Sequence, residues 1–305
     1  MQKNKVIVIC GPTASGKTAL SIALAKKING EIVSCDSMQI YEDMNIGTAK
    51  PTIEEMQGIK HYLIGYVSPE QRYSVAEYKK DAKKAIKEIL EKGKVPIVVG
   101  GTGLYIDSLI YEIEYQDIKL DEQYRKQLEI EVEEKGLETL YKKANIIDEP
   151  AMQKISPTDK KRILRVLEIY HATGKTKTEQ EIESRKKEVE YDYKVYALNW
   201  ERQKLYERIN KRVDMMIEQG LIEEVQAILQ KYHEFPTAMQ GLGYKEVVEY
   251  LKGMLTKEEM IDKIKMETRR YAKRQLTWFR KNKQTIWLQA EDTTQKNIDI
   301  ILKEF

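Results

Sequence analysis

The chain has 305 residues, 41% hydrophobic and 33% charged, with 16 glycines, 7 prolines and a formal net charge of +3. That length suits two average domains or one α/β domain with a large insertion, and the composition is that of a helix-rich globular protein rather than a disordered or fibrous one. The longest apolar runs, such as 6–10 and 95–99, fall far short of the ~20 residues that cross a bilayer, and the apolar stretch after Lys3 and Lys5 is too brief for a signal peptide, so no membrane partner and a cytoplasmic address are expected.

Beta-branched apolar runs recur at 5–10, 31–35, 94–99, 194–200 and 285–289, most with little alternation, as in strands covered on both faces. Helical patterns over 18–28 and 75–90 separate the early runs. This rhythm predicts an α/β fold, a parallel sheet flanked by helices.

The first predicted strand runs into Gly11-Pro12-Thr13-Ala14-Ser15-Gly16-Lys17-Thr18, which satisfies GxxxxGK[ST] and opens a helical pattern, ALSIALAKKI. The glycines permit a tight backbone whose N–H groups converge on an anion, and the helix N-terminus adds positive potential. Lys17 supplies a mobile charge and the Thr18 hydroxyl a ligand for Mg²⁺. The spacing does not say whose phosphates the loop holds.

The second strand is followed by Asp36-Ser37-Met38-Gln39-Ile40-Tyr41. Read as neighbouring the P-loop strand, its end places the Asp36 carboxylate in the crevice where open α/β sheets bind ligands, to hold metal, act as a base or cap a helix. The amide of Gln39 offers the donor and acceptor pair that adenine's edge requires. A second glycine loop, Gly100-Gly101-Thr102-Gly103-Leu104-Tyr105, follows the strand at 94–99.

From 118 to 194 the rhythm breaks into a Lys/Glu-rich, helical stretch, expected to be an insertion domain between core segments 1–117 and 195–305. Within it, Ser156-Pro157-Thr158-Asp159 reads as a helix start with Ser156 as N-cap. The helix that follows carries Arg162 and Arg165 on one face and Ile163, Leu164, Val166 and Leu167 largely on another. Further on, Arg208 and Arg212 lie four apart on a helical face, suited to a pyrophosphate oxygen or to pairing with Glu.

Near the C-terminus, residues 269–281 form a two-sided helix. At ~100° per residue, Arg269, Arg270, Lys273, Arg274, Arg280 and Lys281 fall within an arc of about 140°, with Tyr271, Ala272, Leu276, Trp278 and Phe279 opposite. From Lys265 to Lys283 there are eight basic residues against one acid, Glu267. Solvated faces usually mix signs, so this stripe points to phosphate or nucleic acid. Cys10 and Cys35 sit singly in apolar stretches and read as buried small residues, while His61, His171 and His233 lack metal-ligand spacing.

Taken together, GPTASGKT, SCDSMQIY, MNIGTAKP, YSVAEY, GGTGLYI, SPTDKKRILRVLE, LYERINKRVD, GLIEEV, GLGYKE and TRRYAKRQLTWFR resemble, over almost the whole chain and in order, the tRNA dimethylallyltransferase (isopentenyltransferase) family of bacterial type. The P-loop is generic; DSMQIY, GGTGLY and AKRQLTWFR are specific. One departure is His61-Tyr62-Leu63-Ile64-Gly65, where the family's pattern leads one to expect an acid at the last position.

The resemblance implies a P-loop fold that holds the diphosphate of dimethylallyl diphosphate, with Mg²⁺ bridging its oxygens, and a monomer acting on the tRNA anticodon stem-loop. The N6 amine of the adenosine 3′ of the anticodon, position 37, attacks C1 of the allyl group. By position, Asp36 would be the general base, residues 13–18 the diphosphate cradle with Lys17 catalytic, and Arg212 a neutraliser of the leaving group. Asp36, Ser37, Met38, Gln39, Thr102, Arg125, Arg162, Arg270 and Arg274 would contact the RNA. The rivals are a P-loop kinase using ATP and a nucleotide-gated RNA-binding switch; against a GTPase switch stands the lack of an NKxD motif.

Overall fold

The computed structural model describes residues 3–113, 121–184 and 188–305. It opens with β1 (Lys5–Cys10), α1 (Lys17–Ile28), β2 (Gly30–Cys35), the single turn α2 (Ile53–Met56), β3 (His61–Tyr62), α3 (Val75–Glu91), β4 (Val95–Gly100) and α4 (Gly103–Ile110). Helices α5 (Glu122–Lys135), α6 (Leu137–Ile147), α7 (Glu149–Met152), α8 (Lys160–Thr173) and α9 (Lys177–Ser184) follow. The chain closes with β5 (Asp192–Asn199), α10 (Arg202–Glu218), α11 (Leu221–Lys231), a short 3-10 turn (Ala238–Gln240), α12 (Tyr244–Leu251), α13 (Lys257–Phe279), β6 (Ile286–Gln289) and α14 (Thr294–Glu304).

The chain divides into two compact units, Met1–Ile106 with Glu190–Phe305, and Asp107–Val189. The expected boundary at 117/118 lies outside the described residues. In the second unit every described element is a helix, and its core gathers Leu128, Leu140, Ala144, Met152, Ile163, Leu164 and Leu167. The apolar face expected of 160–173 is thus the packed face of α8.

The first unit is built on a six-stranded sheet in the order β3-β2-β4-β1-β5-β6, with every pairing parallel. Strands β1 and β2 are buried along nearly their whole length, as their unbroken apolar runs require of a sheet covered on both faces. One core packs Ile7, Ile9, Ile32 and Ile97 against α1 and α14. A second gathers Ile40, Tyr41 and Met44 with Val213, Leu221, Val225, Tyr244, Val247 and Met260 from α10 to α13.

Four expectations need correction. The strand bearing Asp36 is not beside the P-loop strand, because β4 inserts between them; apolar content marks a strand but does not encode its neighbours. The sheet resumes at Asp192, three residues earlier than expected, since Asp192 and Tyr193 already pair with Lys5 and Val6. Ser156 is not the N-cap. Its hydroxyl bonds Thr158 Oγ1 at 2.8 Å, while the Asp159 carboxylate accepts from Arg162 N at 3.1 Å and caps α8, placing negative charge at the positive helix end. Finally, the basic helix begins well before residue 269, at a Thr256/Glu259 capping box.

The insertion of β4 has a consequence for the site. Cys10 pairs with Gly100, and Gly100 with Cys35, so β1, β4 and β2 end in one row. The P-loop, the second glycine loop and the Asp36 turn leave the sheet side by side from that row, at the carboxyl edge where such sheets bind ligands.

Candidate active site at the carboxyl edge of the sheet

The P-loop wraps the start of α1 through a left-handed Ala14 (φ 61°) and Gly16 (φ 94°). The Lys17 ammonium donates to the carbonyls of Gly11 at 3.0 Å and Pro12 at 2.8 Å. Burial, reinforced by the nearby Arg212 charge, lowers its pKa to about 8, against the opposing pull of Asp36. Arg212 is itself pushed down by burial, while Glu55 and Asp36 act to keep it charged. Two cationic side chains held close together make a strong anion site.

Two cavities meet here. One, of about 380 Å³, is lined by Thr13, Asp36, Ser37, Met38, Gln39, Gly101, Tyr271 and Arg274. The other, of about 670 Å³, is lined by Ser15, Gly16, Lys26, Glu55, Arg208 and Lys211. Ala14, Lys17, Thr18 and Arg212 line both. The cationic pair and the Thr18 hydroxyl therefore face a chamber that holds Asp36 on one side and a basic, open cleft on the other.

Asp36 combines two of the roles open to it. Its Oδ1 accepts from Met38 N at 2.9 Å and Gln39 N at 3.3 Å, closing the turn after β2. Among the described residues, Oδ2 carries no hydrogen bond and is left to the chamber. The turn is tied to the second glycine loop: Ser37 N donates to Thr102 Oγ1 at 3.0 Å, and Thr102 N to Cys35 O at 3.2 Å. Cys10 and Cys35 are buried small residues outside any disulfide, as expected.

Gln39 lines the chamber, but its amide is engaged within the protein. Nε2 donates to the carbonyls of Thr48 and Ala49 at 3.2 and 3.1 Å, and Oε1 accepts from Ser34 Oγ at 3.3 Å. Both amide protons are used, so the expected pairing with an adenine edge would require these bonds to exchange. The receiving loop is anchored in turn by Glu224, whose carboxylate accepts from the backbone of Asn45, Ile46 and Gly47 and from the Tyr244 hydroxyl at 2.6 Å.

The basic stripe on α13 is divided by its contacts. Arg269 Nη1 donates to Asn210 Oδ1 at 2.6 Å, and Arg274 lies over the Tyr271 ring at 5.7 Å and lines the chamber. Arg270, Lys273, Arg274, Arg280 and Lys281 are exposed, with Arg270 reaching Glu267 at 2.6 Å. Burial raises the Tyr271 hydroxyl well above the usual tyrosine range, as does the neighbouring Asp36 charge. In the helical unit, Arg162 is exposed and lies 3.3 Å from Asp159, whereas Arg125 is held by Glu168 at 2.7 Å and Glu129 at 3.1 Å, joining α5 to α8. Its guanidinium helps hold that unit together.

Two residues that bear on the P-loop, Trp200 and Gln275, escape a reading of the sequence alone, and Arg208, singled out there for a pyrophosphate or a Glu, has a different partner. Arg208 Nε donates to Ala14 O at 2.9 Å, with its guanidinium 4.5 Å over the Trp200 ring, and Trp200 Nε1 donates to Ser15 O at 3.0 Å. These two donors tie down the carbonyls of Ala14 and Ser15 in the P-loop. From α13, Gln275 reaches Thr13. A signal for Gln275 exists, since it is a polar residue in the middle of the arc that packs; none exists for Trp200. At Gly65, the departure from the family's pattern, the backbone is left-handed (φ 58°), where glycine carries no steric cost.

The IPP transferase family model matches residues 39–282. A tRNA dimethylallyltransferase of Acetivibrio thermocellus is 51% identical over 290 residues, covering 95% of this chain and 93% of that protein; one of Bacillus anthracis is 46% identical over 292 residues, covering 96% and 93%. Among solved structures, a tRNA isopentenylpyrophosphate transferase of Staphylococcus epidermidis superposes with a TM-score of 0.73 at 44% identity, covering 99% of each chain. A eukaryotic dimethylallyltransferase captured acting on tRNA superposes at 0.81 with 33% identity, over 99% of this chain and 77% of that one. With similarity of this extent running from end to end, and not only through the generic phosphate loop, the chain belongs to the IPP transferase family, the tRNA dimethylallyltransferases.

Proposed function

We propose that this protein transfers the dimethylallyl group of dimethylallyl diphosphate to N6 of the adenosine 3′ of the anticodon, position 37, in tRNA, releasing diphosphate. The observation that carries the reading is the meeting, at one sheet edge, of a cationic cradle and a carboxylate with an oxygen facing the chamber between them. The kinase reading of the loop finds no support among the relatives.

The C1–O bond of the donor breaks and an N6–C1 bond forms. An exocyclic amine is a poor nucleophile, so the barrier falls mainly by stabilising charge on the departing diphosphate, and Lys17, Arg212 and the P-loop N–H groups other than those of Thr13 and Ser15, which are bonded to Gln275 and Pro12, are placed to do that before reaction begins. As N6 bonds to carbon its proton becomes acidic, and Asp36 Oδ2 takes it. The hydrogen bonds from the Met38 and Gln39 amides hold that carboxylate still.

Mg²⁺ fits this site. Such an ion takes most of its ligands from phosphates and water, which the bound diphosphate would bring. The Thr18 hydroxyl would hold it, and it would supply charge neutralisation on the diphosphate.

The target base must leave its stack, at a cost of a few kcal/mol. Phosphate contacts offset that cost, from Arg270, Lys273 and Arg274 on α13 and from Arg162 on the helical unit. No described helix is long and apolar enough to cross a membrane, and a monomer working in the cytoplasm completes the proposal. The test is to incubate the protein with unmodified tRNA, Mg²⁺ and either dimethylallyl diphosphate or ATP, then analyse digested nucleosides by mass. Prenylated adenosine only with the allyl donor is expected; phosphorylation with ATP would overturn the reading.

A further inference from the structure

The donor cradle and the Asp36 turn belong to different loops from different strands, so something must fix the gap across which the allyl group moves. We propose that Gln275, buried on α13, is the positioning residue that sets this gap. The proposal rests on the transferase reading above.

Its side chain bonds both loops. Gln275 Oε1 accepts from Thr13 N in the P-loop at 3.0 Å, and Nε2 donates to Gly101 O in the second glycine loop at 2.9 Å. From Gly101 the connection continues through Thr102 Oγ1 to Ser37 N at 3.0 Å, next to the carboxylate whose Oδ1 closes the same turn. Hydrogen bonds linked by short stretches of backbone therefore join the phosphate cradle to the proposed base, and the Gln275 amide bridges the two glycine loops. Gln275 is only 5% exposed, so water cannot replace either bond without opening the packing.

The second glycine loop is shaped to receive this helix. A Cβ on Gly101 would lie 2.3 Å from Gln275 Nε2, and one on Gly103 would lie 2.4 Å from the Trp278 ring. Gly101 lacks a side chain because the amide occupies that space, which accounts for a glycine that the phosphate-cradling role does not need. A glutamine also matches the chemistry better than its isosteres. The site offers one N–H and one C=O, and only a carboxamide presents an acceptor to the first and a donor to the second.

Gln275 touches neither reacting group, so its loss should misalign the reactants rather than weaken their binding. Displacements of about 1 Å in a reacting pair cost on the order of 100-fold in rate. The experiment measures kcat, the KM for dimethylallyl diphosphate and the Kd for an anticodon stem-loop RNA in Gln275→Met, which keeps length and volume but forms neither bond, and in Gly101→Ala, which pushes the amide away while leaving Gln275 in place. Both are expected to lower kcat by ~10- to 100-fold, with KM and Kd within about threefold and thermal unfolding still cooperative. Should Gln275→Met fail to fold, Gly101→Ala alone decides. A kcat within about threefold of the parent in either folded variant, or losses in Kd and KM matching that in kcat, overturns the inference. If the parent protein itself prenylates no RNA, the transferase reading has failed instead.

Discussion

Replacing Asp36 by Asn separates the two roles that the structure combines in that residue. Oδ1 accepts from the Met38 and Gln39 amides, and an asparagine keeps that acceptor, so the turn survives. Oδ2 becomes an NH₂ group with no lone pair for the N6 proton. General-base catalysis contributes about 10²- to 10⁴-fold, or roughly 2.7–5.5 kcal/mol at the transition state, and kcat should fall by that much. Affinity for RNA should change by no more than about threefold, because the carboxylate is not a phosphate ligand. Asp36→Ala would lose the turn acceptor as well, adding ~1 kcal/mol of lost stability by analogy with helix caps. Asp36 also raises the pKa of Lys17, so the comparison belongs near pH ~6.5, where that ammonium stays charged in both proteins. Single-turnover prenylation at saturating donor gives the rate, and fluorescence anisotropy of a labelled stem-loop gives the affinity. An asparagine variant that keeps more than about a tenth of the parent rate, or one whose RNA affinity falls as far as its rate, would refute the assignment of Oδ2 as the base.

Burial brings Lys17 to about pKa 8 in the free protein, so the amine is charged below that pH and neutral above it. A diphosphate favours the charged form, and the KM for the donor should climb as pH rises through ~8, a trend that a Lys17→Met variant would lack. Reversing charge at Arg270 and Arg274 should flatten the dependence of RNA binding on salt by about 1–2 units of slope, read from titrations at several ionic strengths; an unchanged slope would remove α13 from the interface. Removing Arg125 leaves Glu168, whose side chain is 4% exposed, with only Arg165 at 3.5 Å as a cationic partner among the described residues, so Arg125→Ala should cost about 2 kcal/mol in thermal or denaturant unfolding. Arg162→Ala, at an exposed site, should cost well under 1 kcal/mol in the same measurement.

Several features were fixed by local chemistry alone, and so could be read from the amino-acid order. The P-loop needs a strand, two glycines, a lysine and a threonine at set spacing, and all of these lie within 14 residues of one another, 5–18. The strands other than β3 follow from β-branched runs, and the helical character of 121–184 from its charge and periodicity. What local chemistry could not decide is which distant segments meet. The insertion of β4 between β1 and β2, the division of the α13 stripe by Asn210 and Tyr271, the engagement of Arg125 by Glu168, and the bonding of Gln39 to Thr48 and Ala49 all depend on partners far away in the chain or on loop geometry that no periodicity records. The amino-acid order thus determined the phosphate loop and the family's chemistry, because each motif carries its own hydrogen-bonding logic. Only the tertiary structure decided how the cradle is braced and aligned with the carboxylate, because Trp200, Arg208 and Gln275 act through bonds to backbone atoms, and backbone atoms are the same in every sequence.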